Sequence, residues 1–403
     1  MTSLDALVDA RFDESVAFLR ELVRMPSDTP PGDNAAHAEG TAKLLEALGY
    51  TVERHAVPAD LAAQRGMRSV TNLVVRHRFG PGPVIALNAH GDVVPPGDGW
   101  TKGPYEGVVD KGRMYGRGVA VSKSDFATYT FALDALKRAG HKVGTVELHF
   151  TYDEEMGGEL GPAWLLARGI TKPDLAIGAG FSYAVVTAHN GALHLEVTVR
   201  GEAAHAAMPE TGVDALEAAV DIIRALYALR EGFSVVRSKV AGIGSPTLNV
   251  GKIEGGINTN VVPDRVRFSL DRRMIPEEDP DAVEKALRDA IFSAQSSHPK
   301  VRVDIRRLLL ARALTPRSGH EVLVAALQAE GERVFGAMPP AVGVPLYTDA
   351  RLYGEAGVPI VLFGAGPRTI LEANAKRADE NLVLEDLRKA TKVVAGTLAT
   401  LLK

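Results

Sequence analysis

Apolar positions recur at helical spacing from Ser15 to Val23, with Val16, Leu19, Leu22 and Val23 on one face. The next stretch, Met25-Pro-Ser-Asp-Thr-Pro-Pro-Gly, is a loop by its prolines and glycine. A second helix is predicted from Ala36 to Leu48, stopped by Gly49. The pattern then changes. Ser69 to Val75 and Pro83 to Ala89 read as strands. The second contains Val-Ile-Ala-Leu-Asn-Ala, apolar at consecutive positions, as in a strand covered on both faces. A helix from Ser124 to Ala139 leads into a further buried strand, Thr145 to Tyr152. Strands alternating with helices predict an α/β fold, a doubly wound and mostly parallel sheet with helices on both faces.

Near Asn190-Gly191 the texture shifts. A strand (Leu193–Arg200), a helix (Asp214–Leu229), two strands (Thr247–Ile253 and Arg265–Arg273), a helix (Asp281–Ala294) and a strand (Val301–Leu308) follow in turn. That order, β-α-β-β-α-β, is the split pattern of a ferredoxin-like domain. Leu193-His-Leu-Glu-Val-Thr-Val-Arg alternates, so one face of this sheet is solvated or paired with a partner. After Arg312 the α/β texture returns, with a helix over His320–Val334, a buried strand over Pro359–Phe363 and a closing helix over Leu384–Leu402. The expected organisation is a first part of a large domain over 1–190, an inserted lid or dimerisation domain over 191–311, and the rest of the large domain over 312–403.

A length of 403 residues suits two domains. The formal net charge of -4 leaves no basic field to hold nucleic acid or an anionic membrane. There are no cysteines, which removes disulfides, thiolate zinc sites and a cysteine nucleophile. Met1-Thr-Ser-Leu-Asp-Ala-Leu has acids where a signal peptide needs a basic end and an apolar stretch. No apolar run approaches membrane-spanning length. The expected location is the cytoplasm.

Three motifs carry chemistry. Asn88-Ala-His90-Gly-Asp92 stands at the C-terminal end of a predicted buried strand, where ligands bind in open α/β sheets. An imidazole with a carboxylate two residues on suits a metal ligand and the group that orients it. Its bland reading is a strand-end turn. Tyr152-Asp153-Glu154-Glu155-Met-Gly157-Gly158 also ends a strand; one carboxylate can act as general base while its neighbour binds a cation. Its bland reading is an acidic, solvated turn. Gly201-Glu-Ala-Ala-His205, Gly256-Ile-Asn258-Thr-Asn260 and Asp271-Arg272-Arg273 place His, Asn and Arg near one end of the small domain.

With these residues in view, the chain resembles the zinc metallopeptidase and deacylase family of acetylornithine deacetylase, succinyl-diaminopimelate desuccinylase, aminoacylase and glutamate carboxypeptidase. The likeness covers almost the whole chain. Its most specific parts run from His90 through Pro95-Pro96-Gly97-Asp98-Gly99-Trp100 to Tyr115-Gly116-Arg117-Gly118, and over Asp153-Glu154-Glu155 with Gly157-Gly158. The resemblance implies two zinc ions in the large domain and a dimer through the inserted one. It implies a general base at Glu154, an oxyanion-stabilising residue at His205, and substrate contacts at Asn260, Arg273, Thr348 and Arg351. Arg351 could clamp a carboxylate in bidentate fashion. The bland readings are a turn-capping Asn260 and an Arg351 paired with Asp349.

The implied metal ligands are mostly missing. The bridging Asp position, fixed in register by Lys123, holds Val121; the position after Asp174-Leu-Ala-Ile-Gly178 holds Ala179; and the last ligand, a His in the family, is Lys376. His90 and Glu155 remain, with Asp92 behind His90. A catalytic zinc wants about three protein ligands, so no cofactor is expected, and zinc fits only with rearranged ligands. Lys376 is expected to pair with Glu155, because a buried carboxylate without a cation is costly. The alternative is a Lys376 that snorkels to solvent.

Three readings follow. The first is a metal-independent enzyme acting on a small, carboxylate-bearing N-substituted amino-acid derivative. Glu154, Lys376, Ser122 and His205 would supply its acid, base and anion-stabilising groups, with hydrolysis, elimination and isomerisation all open. The second is an ordinary zinc-dependent N-acyl-amino-acid amidohydrolase that draws ligands from Asp92, Asp125 or His189. The third is a non-catalytic binding protein. Expected partners are a small-molecule substrate and a second copy of the chain, through residues 191–311.

Overall fold

The computed structural model describes residues 2–403. The chain divides into two compact units. The larger takes the residues up to Thr187 together with Pro316–Val342 and Thr348–Lys403; the smaller takes Ala188–Thr315 and Gly343–Tyr347.

The larger unit is built on an eight-stranded sheet. Its strand order is Val52–Ala56, Thr71–Arg78, Thr145–Thr151, Val84–His90, Leu175–Gly178, Ile360–Leu362, Val185–His189 and Ala341–Val344. The four strands from Thr145–Thr151 to Ile360–Leu362 run parallel. Antiparallel strands flank them. The parallel centre is buried at nearly every position of Val84–His90 and Thr145–Thr151, as two covered faces require. The helix Lys123–Arg138 is buried from Lys123 to Leu136 and stacks Phe126 on Phe150, with ring centroids 3.9 Å apart. Helices Phe12–Arg24, His320–Phe335 and Leu384–Leu401 complete the same core.

Register sets the site. His90 lies opposite Thr151, and Asn88 opposite Gly178. The loops that follow these strands, carrying Asp92, Glu154 with Glu155, and Ala179, therefore leave one edge of the sheet together. The pattern of apolar residues did not reveal a small second sheet, in which Asn381–Val383 pairs with Arg113–Tyr115 and that strand with Val108–Asp110. Strands of three residues are too short to leave a period. This sheet carries the segment before Asn381 onto the turn after Tyr115.

The smaller unit has four antiparallel strands in the order Thr247–Gly255, Arg265–Met274, Gly191–Arg200 and Arg302–Ala311. Helices Ala215–Glu231 and Pro280–Gln295 cover one face, giving the order βαββαβ. Leu193, Leu195, Val197 and Val199 point into that core, against Ile222, Leu226, Leu287 and Ile291. The alternate residues meet water, where Arg306 pairs with Glu196 at 3.0 Å. Asp214 starts the first helix by accepting from Leu216 and Glu217 N–H at 2.8 and 3.1 Å. Among the described residues no helix is long and apolar enough to cross a membrane.

The strand Thr145–Thr151 carries a buried carboxylate among its apolar positions. Glu147 is buried and accepts from Arg76, from Thr171 and from His149 Nε2, the last at 3.0 Å. Burial raises its pKa, but the bonds from His149 and Thr171 and the charge of Arg76 outweigh it, leaving it lowered from 4.5 to about 2. A depressed folded pKa contributes stability above the unfolded value and loses it as pH falls towards the folded one. Glu147→Gln is expected to lower unfolding free energy at pH 7 by about 3 kcal/mol, the scale of breaking a buried pair. The gap to wild type should narrow between about pH 4.5 and pH 2. Urea titrations at pH 7 and pH 3 check this; an equal gap at both would refute it.

Candidate functional site

His90 ends its strand buried and held on both sides of its peptide. Ser122 Oγ accepts from His90 N–H at 2.9 Å and donates to His90 C=O at 3.0 Å. The imidazole Nδ1 donates to the Asp92 carbonyl at 2.9 Å, so Nε2 is left facing Glu154 Oε2 at 3.9 Å. Asp92 braces the neighbouring loop: its carboxylate accepts from Glu154 N–H at 3.3 Å and Glu155 N–H at 3.0 Å. Burial works against a charged imidazole, but Glu154, Asp92 and Glu155 outweigh it and raise His90 to about 10. Burial pushes Glu154 up to about 8 against the pull of His90, with Glu155 adding to the rise.

Lys376 reaches Glu155. Its ammonium Nζ lies 2.7 Å from Glu155 Oε2, and the Glu155 side chain is 9% exposed. The segment that delivers Lys376 is anchored downstream. Asp379 accepts from Thr101 N–H at 2.9 Å and Thr101 Oγ1 at 2.8 Å. Glu380 accepts from the buried Arg117 at 2.6 Å and from Ala120 N–H at 3.1 Å. The motif expected to hold a metal-ligating His thus folds into place with a lysine at its head.

Two further carboxyls, whose neighbours are visible only in three dimensions, crowd the same edge. Asp153 accepts from Leu160 N–H, and Asp349 sits against Gly158 at φ +73°, where any Cβ would strike its carboxylate. Asp153 Oδ1 and Asp349 Oδ2 are buried with no partner. Burial, then mutual repulsion, pushes Asp153 well up, and burial raises Asp349 to about 7. The run of three acids at 153–155 was the signal for Asp153; nothing in the sequence marked the approach of Asp349 to Gly158.

Residues 86–400 match Peptidase family M20/M25/M40. The chain belongs to that family. It is 30% identical over 388 residues to the acetylornithine deacetylase of Myxococcus xanthus, covering 95% of this chain and 96% of that one. It is 26% identical over 408 residues to the succinyl-diaminopimelate desuccinylase of Rhodospirillum centenum, covering 96% of each. Among solved structures, the di-peptidase Dug1p of Saccharomyces cerevisiae superposes with a TM-score of 0.80 at 15% identity, over 98% of this chain and 97% of that one. The M20 family metallo-carboxypeptidase Sso-CP2 of Sulfolobus solfataricus does so with 0.79 at 18%, over 96% and 99%. These two share the fold. The M20 chain described here is an amidohydrolase-like enzyme on the same scaffold.

The residues present do not fit a pair of zinc ions. Val121 offers a side chain that cannot ligate and is 38% exposed, Ala179 offers only a methyl group, and Lys376 already bonds Glu155. Among the described residues no three His, Asp or Glu side chains stand together as a metal cage. The substitutes are engaged elsewhere. Asp125 accepts from Ala365 N–H at 2.6 Å and Gly180 N–H at 3.3 Å, with Gly364 packed against its carboxylate. His189 Nδ1 lies 2.8 Å from the Asn190 carbonyl oxygen.

The other expected site residues are placed as follows. Ser122 is occupied by the His90 peptide, as both acceptor and donor, rather than turned to a substrate. Arg351, 4% exposed, donates to the Gly157 carbonyl at 2.5 Å and to Glu355 at 3.3 Å, so it holds the acidic turn instead of pairing with Asp349. Thr348 Oγ1 accepts from Ala350 N–H at 3.2 Å. In the smaller unit His205 and Asn260 are exposed on adjacent segments, with His205 bridged to Val261 and Ala206 N–H bonded to Asn260 C=O at 3.0 Å. Arg273 pairs with Asp271 at 2.9 Å and lies over Tyr347, 5.6 Å from its centroid.

Ser122→Ala would leave a buried N–H and C=O of His90 each short of its partner. The expected cost is about 1–3 kcal/mol of unfolding free energy, read by chemical denaturation. Stability equal to wild type would show that the hydroxyl is not the clamp.

Proposed function

We propose that this M20 protein hydrolyses the C–N bond of a small N-substituted amino acid bearing a carboxylate, and does so without a resident zinc pair. The observation that carries the proposal is Glu154. It is buried at the C-terminal edge of the parallel sheet, faces His90 Nε2 at 3.9 Å, and is neighboured by the Glu155–Lys376 pair. The names of the two relatives describe removal of an acyl group from an amino-acid amine, and a shared scaffold supports the same bond here.

In this reading Glu154 takes a proton from water as the water oxygen attacks the acyl carbon. The carbonyl electron pair moves onto oxygen and faces the cationic side of the site, His90 and Lys376. The C–N bond then breaks, the proton passes from Glu154 to the leaving amine, and a free acid and a free amine result. His205, Asn260, Arg273 and Thr348 are kept as substrate-facing groups, and Arg351 acts by holding the turn that carries Glu154. A homodimer through residues 191–311 belongs to the same proposal.

Membership of the family and 30% identity to an acetylornithine deacetylase favour a second reading, an ordinary zinc-dependent amidohydrolase with rearranged ligands. One assay separates the two: turnover of a panel of N-acetyl and N-succinyl amino acids, with and without chelator. Activity that survives chelator supports the first reading; activity lost to chelator and restored by zinc moves the assignment to the second. In either buffer Glu154→Gln is expected to lower kcat by about 10²–10⁴-fold, the usual contribution of a general base, and unchanged turnover would remove Glu154 from the mechanism. Sedimentation is expected to give twice the chain mass, and a fully active monomer would overturn the dimer.

A further inference from the structure

Lys376 is presented by an unusual piece of backbone. Three non-glycine residues within six positions are left-handed: Asn374 at φ +50°, Lys376 at +62° and Asp379 at +55°. Side chains with a Cβ avoid this region, and such residues persist where surrounding contacts over-determine them. Those contacts are present. Asp379 is tied to Thr101, Glu380 to Arg117 and Ala120, and Asn381 enters a strand beside Tyr115.

The charges at this point also balance. Of the five side chains at the family's ligand positions, Val121 and Ala179 are neutral, Glu155 is an anion, Lys376 a cation, and His90 an imidazole that faces Glu154. Glu155 and Lys376 are in contact at 2.7 Å and sum to zero. Around them lie Asp92, Glu154, Asp153 and Asp349, all buried. A bare Glu155 in that company would have to share the His90 imidazole with Glu154 and Asp92, which burial makes costly. The ammonium supplies the counter-charge from inside the chain.

We propose that Lys376 is the resident cation of this site: its ammonium takes the charge role that a metal would have on Glu155, and it bars a divalent ion from that carboxylate. The proposal rests on the same site as the proposed function but not on turnover. A metal site returns only if the two missing anionic ligands return along with the His. Val121 makes Lys376→His alone insufficient, because no side chain would join the His90 and Glu155 sides.

The experiment is elemental mass spectrometry and a zinc titration followed by thermal melting. It uses untagged wild type, Lys376→His, and the triple variant V121D/A179E/K376H. Wild type and Lys376→His are expected to hold well under one zinc per chain, with no zinc-dependent rise in Tm. The triple variant is expected to approach two per chain, with a clear rise. Stoichiometric zinc in wild type or in Lys376→His overturns the proposal, as does a folded triple variant that binds none. Should the triple variant not fold, Lys376→Met and Glu155→Gln/Lys376→Met decide the matter. The single change is expected to lower Tm by leaving Glu155 without its cation, and the double change to recover it. A Tm unmoved in Lys376→Met overturns the proposal. No readout depends on catalysis, so a failed substrate screen and a failed cation proposal remain distinct.

Discussion

Five carboxyl side chains, Asp92, Asp153, Glu154, Glu155 and Asp349, gather at the C-terminal edge of one parallel sheet with little access to water, and they cannot all ionise without partners. The arrangement around them answers that constraint. His90 lies beside Asp92 and Glu154, Lys376 bonds Glu155, and Asp92 is bonded by two backbone N–H groups. The remaining pair, Asp153 and Asp349, keeps unpartnered oxygens, and burial raises both towards the protonated form. Charge is thus met by side chains of the protein and by retained protons.

Holding this arrangement takes anchors that do not themselves meet a substrate. Ser122 fixes the His90 peptide from both sides, and Arg351 fixes the Gly157 turn next to Glu155. The buried Arg117–Glu380 pair and the Asp379 bonds fix the approach of Lys376. The Arg117–Glu380 pair and the Arg351 bond are charged and buried, where such bonds are worth most; the Ser122 bonds are buried but neutral, and the Asp379 bonds are exposed. A site described only by Glu154, Glu155 and Lys376 would omit the groups that set the distances between them.

Much of the fold was legible in the residues because periodicity is a local property. The buried strand Val84–His90, the helix from Lys123 and the βαββαβ order of the smaller unit each leave a run of apolar positions with a definite spacing. The motifs at 88–92 and 152–158 were legible too, since each directly follows such a strand. The Glu155–Lys376 pair was expected from charge once the resemblance had set both residues at ligand positions, and it is present at 2.7 Å. The roles of Ser122 and Arg351 were not legible. A hydroxyl or a guanidinium reads the same in sequence whether it meets a ligand or a backbone carbonyl 32 or 194 residues away.

The sequence by itself determined the α/β class, the family-like motifs, and that Val121 and Ala179 carry no donor atom while Lys376 carries an ammonium, because residue identity decides what can donate to a metal. Only the tertiary structure decided what became of the carboxylates left behind. That outcome depends on which strands lie side by side in register, on the three-residue strand that draws residues 374–380 to the site, and on the closeness of Asp349 to Gly158. Those are long-range contacts, and a buried charge is stabilised or protonated according to the neighbours they bring.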